Sequence, residues 1–223
     1  QPVLFDHADK VVFMTATPGS SGVFGAAVGV ARDELTTIRL PSPFLPERRP
    51  VYYWPQGAIA GADPRTWEPL APALSHILDT HGGEKGLVCS VSYRLGAWLY
   101  EHLRPKYGAR LMFPDTASRE VALAKFRASS EPLVMISPSM ATGVDLPFDQ
   151  CRFVVLPKLP FVNKLDPVRA AQAKTKLGKN LANLDTAVLL VQSSGRAMRD
   201  KEDHGTVYLL DENFRWFRHA AKE

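Results

Sequence analysis

The stretch "GLVCSVSYRLGAWLYEHLR", Gly86 to Arg104, changes its hydrophobic period halfway along. Leu87, Val88 and Cys89 form a continuous apolar run, the pattern of a strand buried on both faces. From Tyr93 the apolar residues fall instead at Leu95, Trp98 and Leu99, the spacing of one helix face. A buried strand followed at once by a helix predicts one unit of a parallel sheet.

The same alternation continues in both directions. Downstream, "ARLMF" predicts a strand and "SREVALAKFRAS" a helix capped by Ser118. "PLVMIS" and "CRFVVLP" predict strands, residues 166–199 an interrupted helical region, and "GTVYLLD" a last strand. Upstream, "RPVYYWP" predicts a strand between two prolines, and Leu70, Leu74, Ile77 and Leu78 predict a helix from Thr66 to Thr80 stopped by "HGG". The fold class expected is α/β, a parallel sheet with helices on both faces. "KVVFMTATPGSSG" opens as a short buried strand at Val11–Met14. Residues 19–50, rich in Gly and Pro, form a connector with one further short strand at "LTTIRL". No internal repeat or low-complexity tail is present.

With 45% hydrophobic and 22% charged residues over 223 positions, the chain can build a substantial core. The net charge of +4 is mildly basic, compatible with nucleic acid and insufficient to establish it. Cys89 and Cys151 lie far apart in apolar runs and predict buried free thiols of a reducing, intracellular compartment. The longest apolar stretch, "GVFGAAVGVA", is about half the length of a membrane span, so no membrane partner is expected. No secretory leader pattern is evident. The chain starts at Gln1 with a strand-like run close behind, as a piece of something longer would.

In a parallel α/β sheet, ligands bind beyond the carboxyl ends of the strands. Three loops there carry polar residues: "SVSYR", "SPSMATGVDLPF" and "PKLPF". A fourth contributor is "LLVQSSGRAMRDKEDHGTVYLLD", Leu189 to Asp211. There Gln192, Arg196 and Arg199 stand at offsets that place an amide and two guanidiniums on one helix face. Such a face suits a triphosphate; a solvated basic face has the same spacing. No GxxxxGK[ST] loop is present, since "TKLGKN" lacks the earlier Gly and the hydroxyl, and "RDELT" follows no buried strand. The chain is therefore not expected to hold ATP and Mg2+ unaided. An arginine delivered from a second module to a nucleotide held elsewhere resolves that difficulty.

"QSSGRAMRDKEDHG" resembles motif VI of the XPD/DinG-like branch of superfamily 2 helicases, with Gln192, Gly195, Arg196, Arg199, Asp203 and Gly205 matching. "SMATGVDLPF" resembles motif V through Thr142, Gly143 and Asp145. "VVLPKLPF" is similar to the Lys-x-Pro-Phe segment that follows, "GLVCSVSYRLGAWL" to motif IV, and "LPSPFLPERRPVYYWP" to the Ser-Pro-Phe lead-in. "VVFMTATP" resembles motif III, with Thr15 and Thr17 as its coupling residues and Pro18 where leucine is common. The resemblance covers nearly the whole chain in order.

It implies a RecA-like second motor lobe over 51–223, a connector over 19–50 and a remnant of the first lobe over 1–18. It implies an ATP-dependent helicase moving 5′ to 3′ on single-stranded DNA, with ATP and Mg2+ held mainly by the first lobe. Whether that lobe carries an iron–sulfur cluster is left open. Arg196 and Arg199 would stabilise γ-phosphate charge, with Gln192, Gly195, Gly143 and Asp145 at the nucleotide. Ser92, Ser137, Ser139, Thr142 and Lys158 would meet the nucleic-acid backbone. Bland roles stand beside these: a loop cap for Asp145, a helix cap for Ser92, plain exposure for Lys158. Tyr52, Tyr53, Trp54 and Trp98 are assigned to the core rather than to base stacking, and the six histidines have no metal-ligand spacing. A non-catalytic nucleic-acid-binding module descended from such a lobe is the competing expectation. A dinucleotide enzyme would need more than "GSSGVFG" as its Gly-rich turn.

Overall fold

Six short strands, each registered in parallel with its neighbours, organise the larger part of the chain. The computed structural model describes residues 8–17, 19–61, 63–139, 144–162, 166–198 and 200–220. Strands β1 (Val51–Tyr53), β2 (Gly86–Cys89), β3 (Leu111–Met112), β4 (Val134–Ser137), β5 (Phe153–Leu156) and β6 (Thr206–Leu209) lie in the order β1-β6-β5-β2-β4-β3. All six are at the places expected from the sequence. The central strands β2, β4 and β5 are buried on both faces, which is why their sequences do not alternate.

The connecting helices follow their apolar spacing. In α2 (Leu70–Thr80), Leu70, Leu74, Ile77 and Leu78 are all buried. A 3-10 turn, Pro64–Trp67, takes the place of the expected first helical turn, with Asp63 accepting from the Arg65 amide at its start. In α3 (Tyr93–Tyr107), Leu95, Leu99 and Leu103 join α2 and the side chains of Val88, Val134, Ile136 and Phe153 in one core. Helix α4 (Arg119–Ala128) buries Leu123 and Phe126. Ser118 does not cap it: the Asp115 carboxylate takes both the amide and the hydroxyl of Ser118. That Asx turn satisfies the entry from outside the helix.

The described residues divide into two compact units, 42–160 with 189–216 and 8–41 with 161–188 and 217–220. The first holds the sheet. The second holds α1 (Ser21–Val28) and α5 (Pro167–Gln172), where an Arg169–Asp185 ion pair spans 2.8 Å. Helix α6 (Lys176–Ser194) contributes to both units, as does α7 (Phe214–Ala220).

Four further sequence expectations fail. Val11–Met14 is not a strand: it is irregular and exposed, with Val12 at 82% and Met14 at 91%. A strand needs a neighbour for its backbone groups, and among the described residues this run is assigned no strand pairing. "LTTIRL" is irregular too. The connector contains a helix, α1, whose ends were nonetheless written in Ser20, accepting from Val23, and in Gly29 at φ 76. Tyr52, Tyr53 and Trp54 are exposed, because β1 is an edge strand. Trp98 does pack against the core.

Candidate functional site

Because every strand runs the same way, the segments leaving β2, β4, β5 and β6 gather at one edge of the sheet. β2 leads into Ser90–Ser92. Val91 there has φ 64, a left-handed conformation that is strained for a β-branched residue. Ser92 caps α3, its hydroxyl accepting from the Leu95 amide at 3.2 Å. The bland role foreseen for Ser92 is thus filled, and the helix amino terminus behind it faces the same edge.

β4 ends at Ser137, which is buried. Its hydroxyl lies 3.2 Å from that of Ser139 and accepts from the Ser139 amide. Thr142 and Gly143 lie outside the described residues. Val144 and Leu146 are both buried, and Asp145 between them is exposed, its carbonyl accepting from Arg127 at 2.8 Å.

The arginine segment departs from the expected helix. α6 ends at Ser194, Gly195–Ala197 forms a 3-10 turn, and Met198 is extended. Gln192, half-buried, is still on α6, whereas Arg196 is on the tighter turn. Gln192 and Arg196 therefore do not share one helical face; Arg199 lies outside the described residues. Two features end the helix: glycine at 195, a poor helix former, and the close approach of the following chain. A Cβ on Gly205 would stand 2.6 Å from the Ala197 carbonyl oxygen, so only glycine fits. At Gly195 a Cβ would meet nothing within 4 Å. Gly205, not Gly195, is the glycine that the packing of the chain requires.

Arg196 is only 8% exposed and donates from Nη1 to the Val144 carbonyl. The arginine turn and the loop after β4 are thereby joined across 52 positions. Arg196 also opposes the burial that pushes the Cys89 thiol up to about 12. Burial pushes the Cys151 thiol up as well. Both cysteines are free and buried, as expected.

Lys158, on the segment after β5, is half-buried. Burial lowers its pKa, and the negative charge of Asp211 acts the other way. Asp211 and Asp203 are both fully buried. Asp203 matched a motif; Asp211 was missed, although a carboxylate closing the apolar run "VYLLD" at the carboxyl edge was a visible signal. Thr15 and Thr17 belong to the other unit, where the Thr17 amide donates to the Thr15 hydroxyl at 3.1 Å. Among the described residues no cluster of His, Cys, Asp and Glu could hold a metal ion. Nor is any helix long and apolar enough to cross a membrane.

The helicase C-terminal domain family matches residues 75–222. The chain is 24% identical over 222 residues to the ATP-dependent DNA helicase YoaA of Escherichia coli, covering 92% of this chain and 35% of that protein. It is 26% identical over 140 residues to the ATP-dependent helicase DinG of Mycobacterium tuberculosis, covering 60% of this chain and 21% of that protein. In fold it is similar to a solved XPD helicase, with a TM-score of 0.65 at 17% identity, covering 95% of this chain and 41% of that one. The chain thus spans about a third of the length of YoaA.

Proposed function

Because this chain belongs to the helicase C-terminal domain family, as the C-terminal lobe of an XPD/DinG-like superfamily 2 helicase, we propose that it is the second motor lobe of an ATP-dependent DNA helicase. In this reading residues 51–223 form the lobe, 19–50 the connector and 1–18 the end of the first lobe, with Thr15 and Thr17 coupling the two. The first lobe holds most of the ATP and the Mg2+, and translocation runs 5′ to 3′ along single-stranded DNA in the cytoplasm.

ATP, when bound, supplies the free energy of movement; this chain supplies charge and grip. Arg199 and Arg196 place positive charge at the γ-phosphate, while Gln192, Gly195, Gly143 and Asp145 line the nucleotide. Ser92, Ser137, Ser139, Thr142 and Lys158 contact backbone phosphates, which positions a strand without reading its sequence.

The observation that carries this reading is the joining of the Arg196 turn to Val144. Any displacement of the arginine segment is thereby passed to the loop proposed to hold DNA. The burial of Arg196 is also the one feature that favours a non-catalytic binding module, because an arginine spent on packing is not available to a phosphate.

The test is a titration of the chain with unrelated oligonucleotides at two salt concentrations. A lobe that grips phosphates binds single strands at about micromolar Kd or weaker, indifferent to sequence and steeply weakened by salt. Tight, salt-resistant binding to one duplex sequence contradicts the motor reading.

A further inference from the structure

Asp211, two residues past the end of β6, accepts hydrogen bonds from three separate segments of the carboxyl edge. Oδ1 takes the Ile59 amide at 3.3 Å, the Asn213 amide at 3.0 Å and the Asn213 side-chain amide at 2.8 Å. Oδ2 takes the Leu159 amide at 2.9 Å. The carboxylate is fully buried, and so are the side chains of Ile59 and Leu159 whose amides it holds. Around it the Gln56 amide donates to Leu210 and the Glu212 amide to Gly57, so the segments after β1, β5 and β6 are drawn together. A buried carboxylate is tolerable only when its lone pairs are filled in this way. Lys158 immediately precedes the clamped Leu159, and Asp211 is the charged group whose field acts on its ammonium. The Lys158 stem lies beside Gly61, with Cε 3.7 Å from where a Cβ would stand.

We propose that Asp211 is the positioning residue for Lys158: its carboxylate clamps the segments after β1 and β5 and so fixes where the Lys158 ammonium meets a nucleic-acid phosphate. The inference rests on the proposed phosphate contact of Lys158. Asn at 211 keeps the shape but turns one acceptor into a donor facing the Leu159 amide, and it removes the charge.

Two readouts test it on the full chain. The first is competitive acetylation of lysines across pH, read by mass spectrometry, which gives the titration midpoint of Lys158. The second is the salt slope of binding to a fluorescent oligothymidylate. In Asp211→Asn the Lys158 midpoint moves down while those of other lysines stay, and the salt slope falls by about 0.7, the loss of one phosphate contact on a single strand. The double variant with Lys158→Ala loses no more slope than Lys158→Ala alone.

When Lys158→Ala lowers the slope, an unmoved midpoint or an unmoved slope in Asp211→Asn overturns the proposal, as does a double variant that loses more than Lys158→Ala. When Lys158→Ala leaves the slope unchanged, the phosphate reading itself falls, and the midpoint alone decides the clamp. If Asp211→Asn does not fold, Asn213→Ala decides: it removes one donor and keeps the charge, so a reduced slope supports the clamp and an unchanged one overturns it.

Discussion

Arg152 and Asp203 meet across 51 positions, Nη1 donating to Oδ1 at 2.9 Å. Asp203 is fully buried and the Arg152 side chain is 13% exposed. The other Asp203 oxygen accepts from the amide of Phe148, held at φ 51, at 3.1 Å. One carboxylate therefore ties the approach to β6 both to the start of β5 and to a left-handed residue after the β4 loop. Arg152 has a second partner, Asp149, at 2.7 Å, but that side chain is 95% exposed. Asp203→Ala should cost about 1–3 kcal/mol, because it leaves the Phe148 amide without its buried acceptor, while Arg152 keeps Asp149 and the His204 carbonyl. Asp149→Ala should cost less than about 1 kcal/mol. Denaturant unfolding of the two variants checks the order, and equal costs contradict it.

Gly205→Ala should destabilise the chain by about 1–3 kcal/mol, since its Cβ must displace the Ala197 backbone. Gly195→Ala, with open space around it, should leave the unfolding midpoint nearly unchanged. Thermal melts of both variants decide, and a reversed order contradicts the packing described.

Burial holds the Cys89 thiol neutral until about pH 12. Iodoacetamide at about pH 9, near the value of an ordinary thiol, should therefore label Cys89 slowly in the folded chain and quickly in denaturant. The linkage has a definite sign. Unfolded Cys89 ionises at the ordinary thiol value while the folded thiol keeps its proton, so its contribution to stability is present below that value and is lost as pH rises toward about 12. Fast labelling of Cys89 under native conditions contradicts its burial.

If the proposed two-lobe enzyme is correct, Arg199→Ala in it should cut ATP turnover by about a thousandfold or more with little change in nucleotide affinity, as for a group that acts in the transition state. Steady-state ATPase assays paired with nucleotide-binding titrations measure the two. Equal losses in turnover and affinity contradict a finger role.

The sheet was legible in the sequence because its central strands are buried on both faces, which leaves continuous apolar runs such as Phe153–Leu156 with no competing period. The exposure of Tyr52 and Trp54 was not, because large β-formers serve an edge strand and a core strand equally well. Val11–Met14 misled for a related reason: apolar content predicts a strand, but only a pairing neighbour makes one. Within the candidate site, spacing singled out Gln192 and Arg196, but the break of the helix between them was not legible. It depends in part on Gly205 approaching Ala197 from eight positions downstream. Local periodicity carries no information about that contact. The position of Asp211 at the end of an apolar run was visible, but its partners Ile59 and Leu159 were not, since they are distant in sequence.

In the proposed function this chain contributes arginines to a nucleotide held by another lobe and a grip on DNA, so hydrolysis needs both lobes. The most direct measurement is ATP hydrolysis, with and without single-stranded DNA, by the 223-residue chain alone and by the protein that carries both lobes. Background hydrolysis is expected from the chain alone and DNA-stimulated hydrolysis from the two-lobe protein. DNA-stimulated hydrolysis by the chain on its own would contradict the proposed function.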